Sequence, residues 1–116
     1  MTLLEAIQKA NESRPNAISD ERKSAWVYEL EAQFAEMMEV PIPENAFDED
    51  PDARLLMPAP YDRCYELYLM AMIDHDVQDM DMFNDDISVS NDAIKSACAW
   101  WRRTHRPKSA GNWRTM

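Results

Sequence analysis

Two periodic runs separated by a polar interval dominate the second half of this chain. Tyr61, Cys64, Tyr65, Tyr68, Leu69, Met72 and Ile73 recur at three- and four-residue steps, and Phe83, Ile87, Ile94, Ala97, Cys98 and Trp101 repeat the pattern. That spacing places residues on one face of a helix. A continuous helix over residues 60–107 would be about 70 Å long at 1.5 Å per residue, too long for a compact domain of this size. The expectation is an antiparallel helical pair that turns within residues 74–81.

The first half reads as two further helices. Thr2 and Glu5 stand three apart, the spacing at which the two side chains satisfy each other's free N–H groups. Leu4 and Ile7, with Leu3 and Ala10, form the expected buried side, and Pro15 and Asn16 break the helix. Ser19 caps the next one, with Asp20 and Glu21 at the positive end of its dipole. Trp26, Leu30, Phe34, Met37 and Met38 then follow at helical spacing, which leaves Glu29, Glu31 and Glu36 to face water. This helix should stop before Pro41, because proline lacks an N–H and restricts the residue before it. Pro60 suits the first turn of the third helix. The fourth starts near Asp79, and Ser88, Ser90 and Asn91 offer a discontinuity at residues 88–91, two shorter helices being the rival segmentation.

Residues 40–59 continue no helical pattern. Pro41, Pro43, Pro51 and Pro58 interrupt them, and Asp48, Glu49, Asp50 and Asp52 make them acidic. An irregular stretch this long is uncommon in a small domain and points to a functional or unstructured segment. Val40 to Pro43 is expected to cross the helices in extended form, and Arg54, Leu55, Leu56 and Met57 to pin the far end onto the body. The fold class is therefore all-α: a small four-helix domain spanning residues 1–106, with a long acidic loop at 40–59 between helices two and three, and a basic C-terminal tail at 107–116.

With 116 residues there is room for one domain. The formal charge is −10, unevenly spread. Residues 1–100 hold all 22 carboxylates against seven Lys and Arg, hence −15, whereas residues 101–116 hold five cations and no carboxylate. An acidic body disfavours nonspecific nucleic-acid binding. No run of about 18 uncharged apolar residues is present to cross a membrane, and residues 1–10 lack the pattern of a secretory signal. Cys64 and Cys98 both fall on apolar helical faces, where a thiol serves as a small hydrophobe, in keeping with a reducing cytoplasm.

Chemistry is hard to assemble from these residues. His75, Asp76, Asp79, Asp81, Asp85 and Asp86 form the richest cluster of metal-ligand types, and His75 and Asp79 would share a helical face if the helix ran through them. The turn is expected there, no second histidine accompanies them, and a solvated acidic turn is the plainer reading. Neither cysteine has a histidine at a diagnostic spacing, and a single glycine, Gly111, cannot build a phosphate loop. The expectation is a noncatalytic protein without metal or cofactor.

The C-terminal end is more informative. Trp100, Arg102, Arg103, His105, Arg106, Lys108, Trp113 and Arg114 combine aromatic contact area with cationic heads, the residue types that anchor protein interfaces. Trp101 is assigned to the helical stripe, leaving Trp100 and Trp113 for outside contact. A basic tail of one copy resting on the acidic loop or turn of the next would generate a ring if the rotation closes.

Residues 6–16, the Trp26 to Leu30 portion, Leu55-Leu56-Met57-Pro58-Ala59-Pro60-Tyr61-Asp62, the tyrosine-bearing third helix and the ending Thr104-His105-Arg106-Pro107-Lys108 together resemble the small all-helical head-to-tail connector, or adaptor, proteins of tailed bacteriophages. The resemblance covers nearly the whole chain but includes no catalytic motif. It implies a structural ring, commonly of twelve copies, beneath the portal protein in the virion neck, assembled from subunits made in the host cytoplasm. Its partners would be the portal, neighbouring copies and a tail or further neck protein, with genomic DNA passing through the channel without sequence-specific binding. On this sequence the segment after Thr104 becomes the portal or neighbour contact, and the loop bearing Asp48, Glu49, Asp50, Asp52 and Arg54 the lateral or tail-side contact. Met80-Asp81-Met82 and Ser88-Val89-Ser90-Asn91 depart from the smooth helix such proteins carry. The rival reading is a small phage regulatory protein or DNA mimic that binds a basic host protein through its carboxylates.

Overall fold

Local chemistry starts three of the four helices in the computed structural model, which describes residues 1–42, 52 and 54–105. Helix α1 (Leu3–Ser13) opens on the reciprocal box: Glu5 N–H donates to Thr2 Oγ1 at 3.2 Å and Thr2 N–H to Glu5 Oε1 at 3.4 Å. Helix α2 (Asp20–Met38) is capped by Ser19, whose hydroxyl oxygen accepts from Arg22 N–H at 3.2 Å. Helix α4 (Met80–Thr104) is capped by Asp79, which accepts from Met82 N–H at 3.2 Å. Each bond satisfies a donor that the helix itself leaves free. Helix α3 (Arg63–Asp76) has no such side-chain cap. It follows a turn in which the Pro58 carbonyl accepts from Tyr61 and Asp62 N–H groups, at 2.9 and 3.1 Å. Pro60 therefore lies in that turn, after a cis Ala59–Pro60 peptide, and not in the first helical turn as expected.

The ends of the helices fix the topology. The N-terminal ammonium of Met1 meets Asp62 at 3.1 Å, so α1 and α3 begin at one end of the domain. Arg14, which closes α1, meets Asp74 in the last turn of α3 at 3.3 Å, so both finish at the other. Arg22 in the first turn of α2 meets Asp76 at 2.7 Å, and α2 runs back toward the first end. After Asp76 the chain turns through Gln78, at φ 62°, with Asp79 N–H on the Asp74 carbonyl at 2.9 Å, and α4 returns alongside α3. The result is a compact all-α four-helix domain with up-down-up-down order. The antiparallel pair and its turn fall where the spacing of the sequence puts them.

The core joins Leu3, Ile7, Trp26, Leu30, Phe34, Leu55, Met57, Tyr65, Leu69 and Ile73, with Ala97 from α4. Four expectations need correction. Leu4 is 41 % exposed, because the buried side of α1 is Leu3, Ala6, Ile7 and Ala10. Helix α4 continues through residues 88–91 for all of its 25 residues, and Ser90 is buried on its packed side with no partner for its hydroxyl among the described residues. The acidic turn is not wholly solvated, since within it the Asp76 and Asp86 side chains are only 22 % and 15 % exposed. Glu31, assigned to water, is buried.

Glu31 holds the far end of the loop. One carboxylate oxygen accepts from the Tyr65 hydroxyl at 2.6 Å and the other from Leu56 N–H at 2.8 Å, while the Tyr65 oxygen accepts from Met57 N–H at 3.0 Å. Burial pushes the Glu31 carboxyl above the ordinary range, and these two donors pull it back. Burial and the neighbouring carboxylate push the Tyr65 hydroxyl far up, so it stays protonated and donates. Leu55 N–H bonds the Met1 carbonyl at 3.0 Å beside an antiparallel Thr2–Arg54 bridge, so the expected pinning of this segment is realised. Val40 to Ile42 form no regular structure, and Pro43 lies outside the described residues.

Tyr65→Phe removes a donor from Glu31 and an acceptor from Met57 N–H at one buried point. The expected loss is about 2–3 kcal/mol of unfolding free energy in urea, with faster hydrogen exchange at the Met57 amide. An unchanged midpoint would mean that the latch contributes nothing to stability.

Candidate functional site

Of the C-terminal contact residues, Trp100, Arg102, Arg103 and His105 are described, whereas Arg106, Lys108, Trp113 and Arg114 lie outside the described residues. Trp100 packs inward. Its ring stacks on Tyr61 at 5.0 Å between centroids with 23° between planes, and it joins the partly buried shell around the core. Trp101 instead stacks on His105 at 4.8 Å and 6°. Trp100, expected to face outward, is thus the one packed against the body beside Tyr61, and Trp101, expected in the stripe, is half-buried against His105. The last turn is tied down by side chains. Thr104 hydroxyl lies 3.0 and 3.2 Å from the carbonyls of Trp100 and Trp101, and His105 Nδ1 lies 3.0 Å from the Trp101 carbonyl. A proton on Nδ1 fits this geometry, since a carbonyl oxygen can only accept. Arg102 and Arg103 are exposed in this turn, where their charge favours the helix dipole.

Of the loop residues, Asp48, Glu49 and Asp50 lie outside the described residues, and Asp52 and Arg54 are exposed. The structure links the Arg54 end of the loop to the basic end of α4 through neighbouring contacts. Arg54 bridges to Thr2, Met1 pairs with Asp62, and Tyr61 carries Trp100. Sequence separation hides this association, since Arg54 and Trp100 are 46 positions apart.

The opposite end is acidic and partly buried. Arg14 bridges two carboxylates, Asp74 at 3.3 Å and Asp86 at 2.8 Å. Asp74 Oδ2 has no hydrogen-bond partner among the described residues. Burial, then the adjacent Asp86, raise the Asp74 pKa to about 7, against the opposing pull of Arg14. Arg22 pairs with Asp76 and also sits 5.4 Å from the centre of the Trp26 ring. His75 and Asp79 do not share a helical face, because α3 ends between them; His75 packs edge-on against Phe83 at 5.1 Å. Among the described residues no group of three or more His, Cys, Asp or Glu is placed to hold a metal ion.

Between α3 and α4 an open groove of about 370 Å³ is lined by Tyr61, Cys64, Leu67, Val89, Asp92 and Ala93, among others. Cys64 forms part of its floor. Burial first, and the Glu31 charge second, push this thiol up to about 12, so it is not a nucleophile at neutral pH. Cys98 is also raised by burial, and both cysteines are free. No described helix is long and apolar enough to cross a membrane.

What the fold and these surfaces define is a four-helix domain with aromatic and basic residues at one end and a partly buried arginine–aspartate cluster at the other. Comparison with protein-family models finds no match, and comparisons with curated proteins and with solved structures find none either. Glu31 and Asp74 are the two functional-looking groups that spacing missed. For Glu31 a signal was present, because it stands four residues after Val27 and three before Phe34, on the buried face of α2.

The raised Asp74 pKa fixes the sign of a pH effect. Between the ordinary value of 3.8 and about 7 the folded chain binds more protons at this group than the unfolded chain. Stability contributed by Asp74 is thus present at low pH and lost as pH rises through 7. From pH 7.5 to 5.5, the unfolding midpoint of the natural chain should rise by several degrees relative to that of Asp74→Asn. Parallel curves would show that Asp74 does not titrate in this window.

Proposed function

We propose that this chain is a noncatalytic structural subunit of the neck of a long-tailed bacteriophage, a head-to-tail connector that forms a ring beneath the portal. The observation that carries the reading is the end of α4, where exposed Arg102 and Arg103 stand beside stacked aromatic rings on a body that is otherwise acidic. Such an end suits docking onto an acidic protein surface: arginine and tryptophan anchor interfaces, and the rigid helix limits the ordering that binding requires. The likeness of residues 55–62 and 104–108 to phage connectors supplies the identity of the partner. In this reading the basic tail, residues 107–116 with Lys108, Trp113 and Arg114, extends the docking end toward the portal or a neighbouring copy. The acidic loop at 40–59, anchored by the Glu31 latch, makes the lateral or tail-side contact. Carboxylates facing the channel would keep passing DNA from adhering.

Mass photometry of the purified chain with the portal protein of its own genome tests this. The expected result is a gain matching a whole ring on each portal. Deletion of Arg106–Met116 should leave the helical circular dichroism unchanged and weaken that gain at least about tenfold. No gain at any salt concentration, together with tight capture of a basic host protein, would replace the connector by a regulatory protein or DNA mimic.

A further inference from the structure

Helix α4 is the least covered element of the domain. Only Ser90 and Ala97 among its 25 residues are buried, and α3 is its one extensive packing partner. Opposite Ser90 and Ala97 runs an exposed stripe at three- and four-residue steps: Asp81, Asp85, Ser88, Asp92, Ser96, Ala99 and Arg103. Charge along this side is segregated. Asp81, Asp85 and Asp92 occupy the first half, whereas Lys95, Arg102 and Arg103 follow in the second. None of these six side chains makes an ion pair within the chain among the described residues.

A helix that is acidic in its first half and basic in its second complements itself only when the second copy runs antiparallel. A parallel pair would set aspartate against aspartate and arginine against arginine. One antiparallel register matches five of these six charges across the junction: Asp85 falls level with Arg102 and Arg103 of the second copy, Asp92 with Lys95, and Ser88 with Ala99, while Asp81 lies beyond the described end of the facing helix. The small residues at Ser88 and Ala99 allow the axes to approach, and Val89, 51 % exposed on the rim of the α3–α4 groove, adds apolar contact beside them.

We infer that the free protein pairs with a second copy of itself through this face, as a two-fold antiparallel α4–α4 dimer held by Asp85 and Asp92 against Lys95, Arg102 and Arg103. The contact is isologous, each copy supplying both halves. A cyclic ring relates its neighbours without this two-fold, so the dimer is a property of the free protein and its test needs no portal. Exposed ion pairs are individually weak and screened by salt, so the dimer is concentration- and salt-dependent.

Sedimentation velocity on the full chain from about 5 to 300 μM reads it directly. A dimer is expected at low ionic strength, with at least about tenfold weaker association in 0.5 M salt. Two charge-reversed chains then test the register, D85K/D92K and K95E/R102E/R103E. Alone, each places like charges across the junction and should remain monomeric with an unchanged circular dichroism spectrum. Mixed in equal amounts, they restore both sets of opposite charges and should form a 1:1 heterodimer. A natural chain that is monomeric throughout, reversed chains that self-associate as the natural one does, or a mixture that stays monomeric would each overturn the proposal.

Discussion

The carboxylate of Glu31 is the point on which three separate parts of the chain converge. It sits on α2, takes the hydroxyl of Tyr65 from α3, and takes the N–H of Leu56 from the segment that returns out of the loop. Tyr65 in turn accepts from Met57, and its ring meets Phe34 edge-on at 5.7 Å. A buried carboxylate is costly unless its oxygens are satisfied, and here both are. The same arrangement determines where the Arg54 end of the loop lies. With Leu55 and Met57 seated in the core, Arg54 is held against Thr2, and the loop leaves from the end of the domain that also carries Tyr61 and Trp100.

The other end depends on a less complete arrangement. Arg14 stands between Asp74 and Asp86 and ties the close of α1 to the α3–α4 turn, but one oxygen of Asp74 is left without a donor. One guanidinium cannot fully offset two neighbouring carboxylates in a partly dry site, so the Asp74 pKa is raised. The domain thus has a satisfied buried acid toward the end bearing Trp100 and an incompletely satisfied one at the end where its longest helix begins. Between them α4 is held along one side only, which is why its charges remain available to another molecule.

The described carboxylates are tied to arginines, to helix caps or to the latch, or they stand dispersed along exposed faces. The thiol of Cys64 is kept protonated by burial. The aromatic residues at the close of α4 divide their work. Trp100 fastens the helix to Tyr61, and Trp101 with His105 and Thr104 finishes its last turn. Arg102 and Arg103 therefore project from a supported helix end.

The starts of α1, α2 and α4 and the turn between α3 and α4 were legible in the sequence because they depend on groups three or four residues apart. Thr2 with Glu5, Ser19 with Arg22, and Asp79 with Met82 need no knowledge of the rest of the chain. The pinning of residues 54–57 was also legible, as an apolar run closing an acidic, proline-rich segment, though Leu55 and Met57 turn inward and Leu56 does not. What spacing could not decide was which of two adjacent residues turned inward. Leu3 is buried and Leu4 is not; Trp100 packs on Tyr61 and Trp101 does not; and Glu31, next to the apolar stripe, is inside. A helical stripe is broad enough to admit either neighbour, and the choice rests on what another helix offers at that point, a tyrosine hydroxyl for Glu31 or an arginine for Asp74. The sequence by itself determined the helices, because their hydrogen bonds are local. Only the tertiary structure decided the fate of the acids, because burying a charge depends on donors brought from far along the chain.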